Sequence, residues 1–226
     1  MITKLLYLED MCRLNCDAHV LQIIPEDNFN KIVVEQTVFY PQGGGQPSDK
    51  GIISNNNVIF CVESVFNENG TIFHKGIFTQ GYHFNIGDVV ELEVNAELRN
   101  LHNRNHTAGH LVDYALFNLG YNLISHKAYH FPQGPYVEYQ GTLEQDEREQ
   151  LQSKLEIAVN ELAQQALSVN IMLVDNDPKK RVMMISSYPP ILCGGTHVLN
   201  TKDIGHISIR KIKNEKGNLR VSYAVV

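Results

Sequence analysis

His106-Thr107-Ala108-Gly109-His110 places two imidazoles four residues apart within a predicted helix. Residues four apart on a helix lie one above the other, with Cβ atoms about 5–6 Å apart, so both rings can contact one cation. The helix is predicted to begin after the N-cap Asn95 and to end before Gly120, a suitable C′ residue. Between these ends, apolar residues recur with a period of about 3.6 residues, at Leu98, Leu101, Ala108, Leu111, Ala115 and Leu119. The sequence therefore predicts a helix that presents a pair of metal ligands.

A second pair of ligand-type residues, Cys193 and His197, has the same spacing in a segment that favours a loop. Cys193-Gly194-Gly195-Thr196-His197 contains two glycines and follows Pro189-Pro190, so a tight loop is predicted. A thiolate and three imidazoles form a natural ligand set for Zn²⁺. We therefore predict a zinc centre whose ligands come from the helix and the loop: His106, His110, Cys193 and His197. A purely structural zinc, closed by the same four ligands, fits this pattern equally well.

The segments on either side of the helix predict two domains. Short apolar runs broken by turn-forming residues fill the first ninety or so residues, which is typical of an all-β module. Beyond the helix we expect a strand at Tyr136 to Tyr139 and a second helix from Glu144 to Leu167. Further strands are predicted at 170–174, 181–185, 204–213 and 219–225, with residues 214–218 joining the last two as a hairpin. The expected class is α+β, with domains 1–94 and 95–226 and helices on an antiparallel sheet.

The composition is that of an ordinary globular protein. With 226 residues, 43% of them hydrophobic, the chain can form one large or two small domains. No apolar run near the N-terminus is long enough for a signal peptide or a membrane span, so a cytoplasmic location without membrane partners is expected. Three cysteines outside the proposed metal centre suggest free thiols in a reducing compartment: Cys12, Cys16 and Cys61. No obligate protein partner is evident.

Charge is distributed unevenly along the chain. The net charge is −6, yet the residues from Lys179 onward include nine lysines and arginines against Asp203 and Glu215. This local excess of +7 could form a phosphate-facing surface around the Cys193 loop. A solvated face without a partner is the alternative.

Three motifs in this order resemble a known family: His106-Thr107-Ala108-Gly109-His110-Leu111, Gly134-Pro135-Tyr136-Val137-Glu138-Tyr139 and Cys193-Gly194-Gly195-Thr196-His197-Val198. They are similar to the editing domain of alanyl-tRNA synthetase and to its free-standing relatives, the AlaX trans-editing proteins. The stretch from Thr37 to Gly51, with Gly43-Gly44-Gly45-Gln46, resembles the glycine motif of the longer AlaX forms. The resemblance covers nearly the whole chain. It implies a small β-barrel module over 1–94 and, over 95–226, a zinc-containing domain of the threonyl/alanyl-tRNA synthetase second additional domain type.

The resemblance implies hydrolysis of the aminoacyl ester of mischarged alanine tRNA, chiefly seryl-tRNA and also, as an open alternative, glycyl-tRNA. Such a hydrolase is needed because the pocket with which a synthetase selects alanine rejects serine, an analogue with one added hydroxyl, by only roughly 10²-fold. Thr107 is a candidate for binding the serine hydroxyl, although a threonine within a helix can also bond to the carbonyl four residues earlier. The glycine loop, Gly43, Gly44, Gly45 and Gln46, is the second candidate for substrate contact, because glycines permit close backbone approach. The candidates for tRNA phosphate contacts are Lys211, Lys213 and Lys216.

Two mechanisms follow from the predicted zinc. With an open position, the ion could lower the pKa of a bound water toward ~7 and polarise the ester carbonyl. If His197 is a full fourth ligand, the ion orients the substrate, and Glu138 or a ribose hydroxyl of the terminal adenosine activates the water. Two other functions stay open: a non-catalytic tRNA-binding module with structural zinc, and another zinc-dependent hydrolase or lyase. The last class usually carries a glutamate beside the paired histidines, which residues 107–109 lack.

Overall fold

The computed structural model of the chain describes residues 2–174 and 177–226, apart from the side chains of residues 177–179. Its helices are α1 Ala96–Asn118 and α2 Gln145–Gln164. The strands of the N-terminal part are β1 Lys4–Leu5, β2 Asn15–Pro25, β3 Asn30–Val34, β4 Gln36–Thr37, β5 Gly51–Asn55, β6 Val58–Glu68, β7 Thr71–Gln80 and β8 Val89–Val94. The later strands are β9 Ser125–Tyr129, β10 Tyr136–Gln140, β11 Val169–Val174, β12 Asp177–Ile185, β13 Ile191–Leu192, β14 Ile207–Glu215 and β15 Asn218–Val225.

The first compact unit, residues 1–43 and 47–99, is a closed β-barrel. Its six strands follow the order β2-β3-β7-β6-β5-β8. In β2, β6, β7 and β8, buried side chains alternate with more exposed ones over most of the strand, as expected for a barrel wall. Val20, Ile32, Phe60 and Leu92 are among the fully buried members of this core. The short strands β1 and β4 pair in parallel beside the barrel.

A buried ion pair lies in this unit. Arg99 is 2% exposed and Asp49 is fully buried. The guanidinium donates through Nε to Asp49 Oδ1 at 2.9 Å, and its other groups donate to the carbonyls of Met11 at 3.0 Å and Val38 at 2.7 Å. Because every charged group is paired, the arrangement avoids the cost of an isolated buried charge.

The second unit, residues 44–46 and 100–226, contains an antiparallel sheet in the order β14-β15-β10-β9, with α1 and α2 packed on one face. The core between them includes Leu111 and Ala115 of α1, Leu155 and Val159 of α2, and the strand residues Val137, Leu219, Val221 and Tyr223. A smaller sheet in the order β11-β12-β13 packs against the same core through Val169, Met183 and Ile185.

Local signals position α1 as the sequence predicts. The side chain of Asn95 accepts a hydrogen bond from the backbone N–H of Leu98 at 2.9 Å, which confirms the N-cap. Gly120 follows the helix with φ +87°, the left-handed conformation that a C′ glycine adopts most easily. The second helix ends at Gln164, earlier than the predicted Leu167, because Ala166 leaves the helical region with φ +53°.

The predicted α+β fold, a small β-barrel followed by an antiparallel sheet with helices, is confirmed. Lys216 and Gly217 both have positive φ and form the turn of the predicted hairpin between β14 and β15. One strand begins later than predicted, at Ile207 rather than 204, because Thr201–Ile204 forms a 3₁₀ helix. Sequence patterns did not predict β9 or β13. The domain boundary between residues 94 and 95 stays a prediction. Among the described residues, no helix is long and apolar enough to cross a membrane.

Candidate metal centre

The two ligand pairs meet in the second unit. One side-chain donor atom from each of His106, His110, Cys193 and His197 lies within 4.8 Å of the others. The thiol sulfur of Cys193 is 3.4 Å from His106 Nε2 and 3.3 Å from His197 Nε2. His106 and His110 stack on successive turns of α1, with ring centroids 5.1 Å apart. The helix and the loop thus converge on one point.

Hydrogen bonds orient two of these imidazoles so that Nε2 points toward the sulfur. The Nδ1–H of His106 donates to Gln46 Oε1 at 2.7 Å. The Nδ1–H of His197 donates to Thr107 Oγ1 at 3.3 Å. Since a neutral imidazole carries one N–H, these donors leave both Nε2 atoms as lone-pair donors for a cation. Such outer partners fix the tautomer and the ring orientation of metal-binding histidines.

Thr107 is fully engaged by these contacts. Its hydroxyl donates to the carbonyl oxygen of Asn103 at 2.8 Å, four residues earlier, and accepts from the backbone N–H of Val198 at 3.2 Å. Together with His197, these bonds use the single donor and both acceptor sites of a hydroxyl. The substrate contact predicted for Thr107 therefore stays a prediction, whereas its contact to a ligand-type histidine is present.

Gln46 closes a second set of contacts beneath the cluster. The side chain is fully buried. Its Oε1 also accepts from the backbone N–H of Thr196 at 3.0 Å, and its Nε2 donates to Thr196 Oγ1 at 2.8 Å. That hydroxyl in turn donates to Asn103 Oδ1 at 2.5 Å. Gln46, the last residue of the glycine loop, thus links the Cys193 loop to α1 through hydrogen bonds to Thr196 and His106.

Two glycines allow close approach at this point. A Cβ atom on Gly195 would lie 2.1 Å from His106 Cε1 and 2.7 Å from Gln46 Oε1. A Cβ atom on Gly45 would lie 2.4 Å from the carbonyl oxygen of Ala128, and the carbonyl oxygen of Gly45 accepts from His130 N at 2.8 Å. The glycine loop therefore approaches neighbouring backbone closely at Gly45. At its first residue, the carbonyl oxygen of Gly43 accepts a hydrogen bond from the hydroxyl of Tyr40 at 3.0 Å. Gly44 adopts φ +55°.

The residues fit a metal ion. Among the described side chains, His110 is buried with no hydrogen-bond partner for either ring nitrogen, and its Nδ1 is 3.6 Å from Asp113 Oδ2. Burial raises the pKa of the Cys193 thiol, but the neighbouring His106 and His197 lower it by more than burial raises it. The net pKa therefore lies well below its usual range. Burial also lowers the pKa of His197 to about 4. At His110, burial lowers the pKa but Asp113 and Cys193 raise it by more, to about 9, so this ring must release a proton when it binds a metal. A thiolate and neutral imidazoles are the forms that ligate transition metals.

A fourth histidine, His130, adjoins the cluster and is not predicted from the sequence. Its ring stacks on His106 with centroids 4.5 Å apart, and its Nδ1–H donates to the hydroxyl of Tyr223 at 2.7 Å. Burial lowers its pKa well below the usual value. Gly109 makes room for the ring, because a Cβ atom there would lie 2.5 Å from His130 Cε1. No motif spacing marks His130, since it comes from an irregular segment that follows β9.

Glu138 and the lysine candidates do not join the cluster. Glu138 lies on the sheet face opposite the helices, where its Oε1 accepts from Arg220 Nε at 2.8 Å. Its predicted catalytic role stays a prediction. Lys211 and Lys216 are exposed near the hairpin, and Lys213 pairs with Glu215 at 2.8 Å. The side chain of Lys179 lies outside the described residues.

The contacts of Gln46 give a first testable prediction. In Gln46→Met, an apolar side chain of similar length leaves His106 Nδ1–H and Thr196 N–H without their acceptor. We expect the affinity for zinc to fall about 10- to 100-fold, as for other outer-shell partners of metal ligands. Gln42→Met, at an exposed glutamine of the same stretch, is the matched control. Competition with a chromophoric chelator measures both affinities, and equal values would show that Gln46 does not support the ligand.

Comparison with known proteins agrees with this geometry. The family model "tRNA synthetases class II (A)" matches residues 9–98, and "Threonyl and Alanyl tRNA synthetase second additional domain" matches residues 181–222. The alanyl-tRNA editing protein AlaX-M of Pyrococcus horikoshii is 31% identical over 94% of this chain and 91% of its own length. AlaX-L of the same organism is 29% identical over 97% of this chain, which spans only 56% of that protein. An alanine–tRNA ligase from Clostridioides difficile is 31% identical over 85% of this chain and 24% of its own length. The chain therefore belongs to the AlaX family of alanyl-tRNA editing proteins.

Proposed function

We propose that this protein is a zinc-dependent aminoacyl-tRNA hydrolase that removes serine from mischarged alanine tRNA in the cytoplasm. The observation that carries the proposal is the convergence of His106, His110, Cys193 and His197 within 4.8 Å. The similarity to AlaX-M supports the substrate class, since that relative is named as an alanyl-tRNA editing protein. Glycyl-tRNA is the second candidate substrate of the same site.

Zinc fits the ligand set, because one thiolate and three imidazoles suit a borderline-soft cation in a tetrahedral site. When bound, zinc supplies a Lewis acid that polarises the ester carbonyl and acidifies water. The protein holds the ligand atoms for this ion through Gln46 behind His106 and Thr107 behind His197. We propose that both residues position ligands and that Gly44 and Gly45 bound the pocket for the amino-acid moiety.

The chain also offers a hydrogen-bonding group besides the four ligands. The imidazole of His130 is neutral near pH 7, because burial lowers its pKa. Its Nδ1–H is taken up by Tyr223, whose own hydroxyl donates to the Asn105 carbonyl at 2.8 Å. These two hydrogen bonds fix the tautomer of His130, so that its Nε2 is a hydrogen-bond acceptor. Glu138, by contrast, has Arg220 as its partner, so a role as general base requires that ion pair to open.

The decisive experiment compares seryl-, glycyl- and alanyl-esters of the same alanine tRNA. We expect release of free serine at a rate well above that of alanine, with zinc present at one equivalent by elemental analysis. A site that hydrogen-bonds the serine hydroxyl can reject alanine by roughly 10⁴-fold. A non-catalytic tRNA-binding module would bind charged and uncharged tRNA alike and release no amino acid. That outcome, with zinc and fold intact, would contradict the proposed activity.

The lysines near the hairpin give a second prediction. We expect a triple variant with reversed charges to bind tRNA more weakly. It carries Lys211→Glu, Lys213→Glu and Lys216→Glu. Each lost phosphate contact should reduce the slope of log K against log salt by roughly 0.7 to 0.9. The matched control makes the same change in net charge at exposed lysines elsewhere: Lys4, Lys50 and Lys154. Binding titrations at several salt concentrations measure the slopes, and equal slopes in both variants would assign the effect to net charge alone.

A further inference from the structure

His130 is a buried histidine beside the metal centre that is not one of the four proposed ligands. Its side chain is 2% exposed, and its ring stacks on that of His106 with centroids 4.5 Å apart. The donor atoms that lie within 4.8 Å of one another include one from His106 but none from His130. A buried imidazole that lies this close to the cluster, yet outside the ligand set, can make a different contact.

Two hydrogen bonds determine which nitrogen of His130 carries the proton. The hydroxyl of Tyr223 is 2.8 Å from the carbonyl oxygen of Asn105, which can only accept, so the hydroxyl donates there. The same hydroxyl is 2.7 Å from His130 Nδ1, which must therefore donate to it. The contacts described for the ring include no carboxylate that would stabilise its charged form, and burial favours the neutral form. Nε2 therefore carries a lone pair and no proton.

The lone pair of His130 Nε2 is not used within the protein. No donor among the described residues makes a hydrogen bond to this atom, and the atom is not sealed from solvent. The two ring carbons bonded to Nε2 both lie near glycines. A Cβ atom on Gly109 would lie 2.5 Å from Cε1, and a Cβ atom on Gly45 would lie 3.4 Å from Cδ2. Nε2 therefore lies between two residues that have no side chain, where a small group has room to approach.

The chemistry around Nε2 suits a neutral hydrogen-bond donor. A divalent cation bound with a single thiolate leaves net positive charge beside the ring, which repels an ammonium group but not a hydroxyl. Thr107 is the other candidate at this centre for binding a hydroxyl. Its own hydroxyl already makes hydrogen bonds to Asn103, His197 and Val198. His130 Nε2, by contrast, has its lone pair free for a donor on the substrate.

We propose that His130 Nε2 accepts a hydrogen bond from the side-chain hydroxyl of serine, so that His130 sets the preference for seryl over alanyl and glycyl esters. This inference rests on the proposed function, which makes the aminoacyl ester the substrate. Alanine and glycine have no hydroxyl, so their esters leave the lone pair without a donor, and a site with an unpaired polar group rejects such analogues. Tyr223 is a positioning residue, because it holds the proton on Nδ1 and leaves Nε2 as the acceptor.

The test measures binding of three stable analogues, adenosines that carry serine, alanine or glycine through an amide in place of the ester. Wild-type protein is expected to bind the seryl analogue most tightly. His130→Phe keeps an aromatic ring beside His106 but has no Nε2, so the ratio of seryl to alanyl affinity should fall about 5- to 100-fold, the effect of one lost hydrogen bond. A loss of zinc or of folded protein affects both analogues and cancels in this ratio. His206→Phe, at an exposed histidine of the same unit, is the control and should keep the wild-type ratio.

Tyr223→Phe is a second variant that leaves the ring of His130 in place. It removes the oxygen that holds the proton on Nδ1, so the proton can move to Nε2, and the ratio of seryl to alanyl affinity should fall. A wild-type ratio in both His130→Phe and Tyr223→Phe would overturn the proposal. Equal affinity of the wild-type protein for all three analogues would overturn it as well. So would an equal loss for all three in His130→Phe, because a group common to the analogues would then be the partner of His130.

The analogues are bound without being hydrolysed, so the result of this test is independent of catalysis. A preference for the seryl analogue that depends on His130, without release of serine from seryl-tRNA, would contradict the proposed function alone. Release of serine from seryl-tRNA by wild-type protein, with an unchanged preference among the analogues in His130→Phe, would overturn the role of His130 alone.

Discussion

Cys193→Ala is expected to lose both zinc and esterolytic activity on seryl-tRNA. The thiol sulfur is the donor closest to two imidazoles, at 3.4 Å from His106 Nε2 and 3.3 Å from His197 Nε2. Its removal leaves three imidazole nitrogens and takes away the negative charge that offsets a divalent cation. We expect zinc affinity to fall by more than about 100-fold, the upper end of the loss seen when only an outer partner is removed. Elemental analysis and chelator competition measure this change.

The matched control for this prediction is Cys12→Ala, which removes an exposed thiol of the first unit. The control should keep one equivalent of zinc and the wild-type rate. Folding of both variants is compared by thermal unfolding without metal, where the two should be alike, since Cys193 is only partly buried. A Cys193→Ala protein that binds zinc with wild-type affinity would exclude the cysteine as a ligand.

Gly195→Ala is expected to disrupt the metal centre almost as strongly, although the side chain added is a single methyl group. Its Cβ would lie 2.1 Å from His106 Cε1 and 2.4 Å from His106 Nδ1, distances at which atoms overlap. The added Cβ would also lie 2.7 Å from Gln46 Oε1. His106 Nδ1 is already 2.7 Å from that oxygen, so the ring cannot avoid the methyl group by moving closer to Gln46. The loop or the imidazole must shift, so we expect zinc affinity and the rate of serine release each to fall at least about 10- to 100-fold.

Gly194→Ala separates this effect from loop flexibility. A Cβ atom on Gly194 would have no heavy atom within 4 Å, and neither glycine has positive φ. Both substitutions therefore reduce the backbone entropy of the unfolded chain equally. The Gly194 variant should retain wild-type zinc affinity and activity. If the two variants behave alike, the close approach to His106 does not limit the site.

Features encoded by neighbouring residues could be predicted from the sequence. The ligand pair on α1 depends on helical period and on the cap at Asn95, and the hairpin turn depends on Lys216 and Gly217. Two glycines and two prolines near Cys193 favour a loop, and regular structure there is limited to the two-residue strand β13. In each case the physical cause acts over a few residues, so a single sequence is sufficient to show it.

Features that depend on distant segments could not be predicted in this way. The hydrogen bond between Gln46 and His106 joins residues 60 positions apart, and nothing local marks Gln46 as a support for a ligand. His130 reaches the cluster because Gly109 leaves room beside α1, a fact of packing rather than of spacing. The partner of Glu138 depends on the register between β10 and β15. These contacts emerge only after the sheet and helices have packed.

The hydrogen bonds between Gln46 and Thr196, which are 150 positions apart, bear on how the protein is made. At a synthesis rate of roughly 5–20 residues per second, the ribosome needs about 8 to 30 s to add Thr196 after Gln46. For most of that interval the nascent chain contains Gln46 and then both helix histidines, but neither Cys193 nor His197. A ribosome that stops before Cys193 therefore releases a chain with two of the four proposed metal ligands. Zinc retention would then report that a polypeptide has been completed through His197, the last of the four ligands to be synthesised.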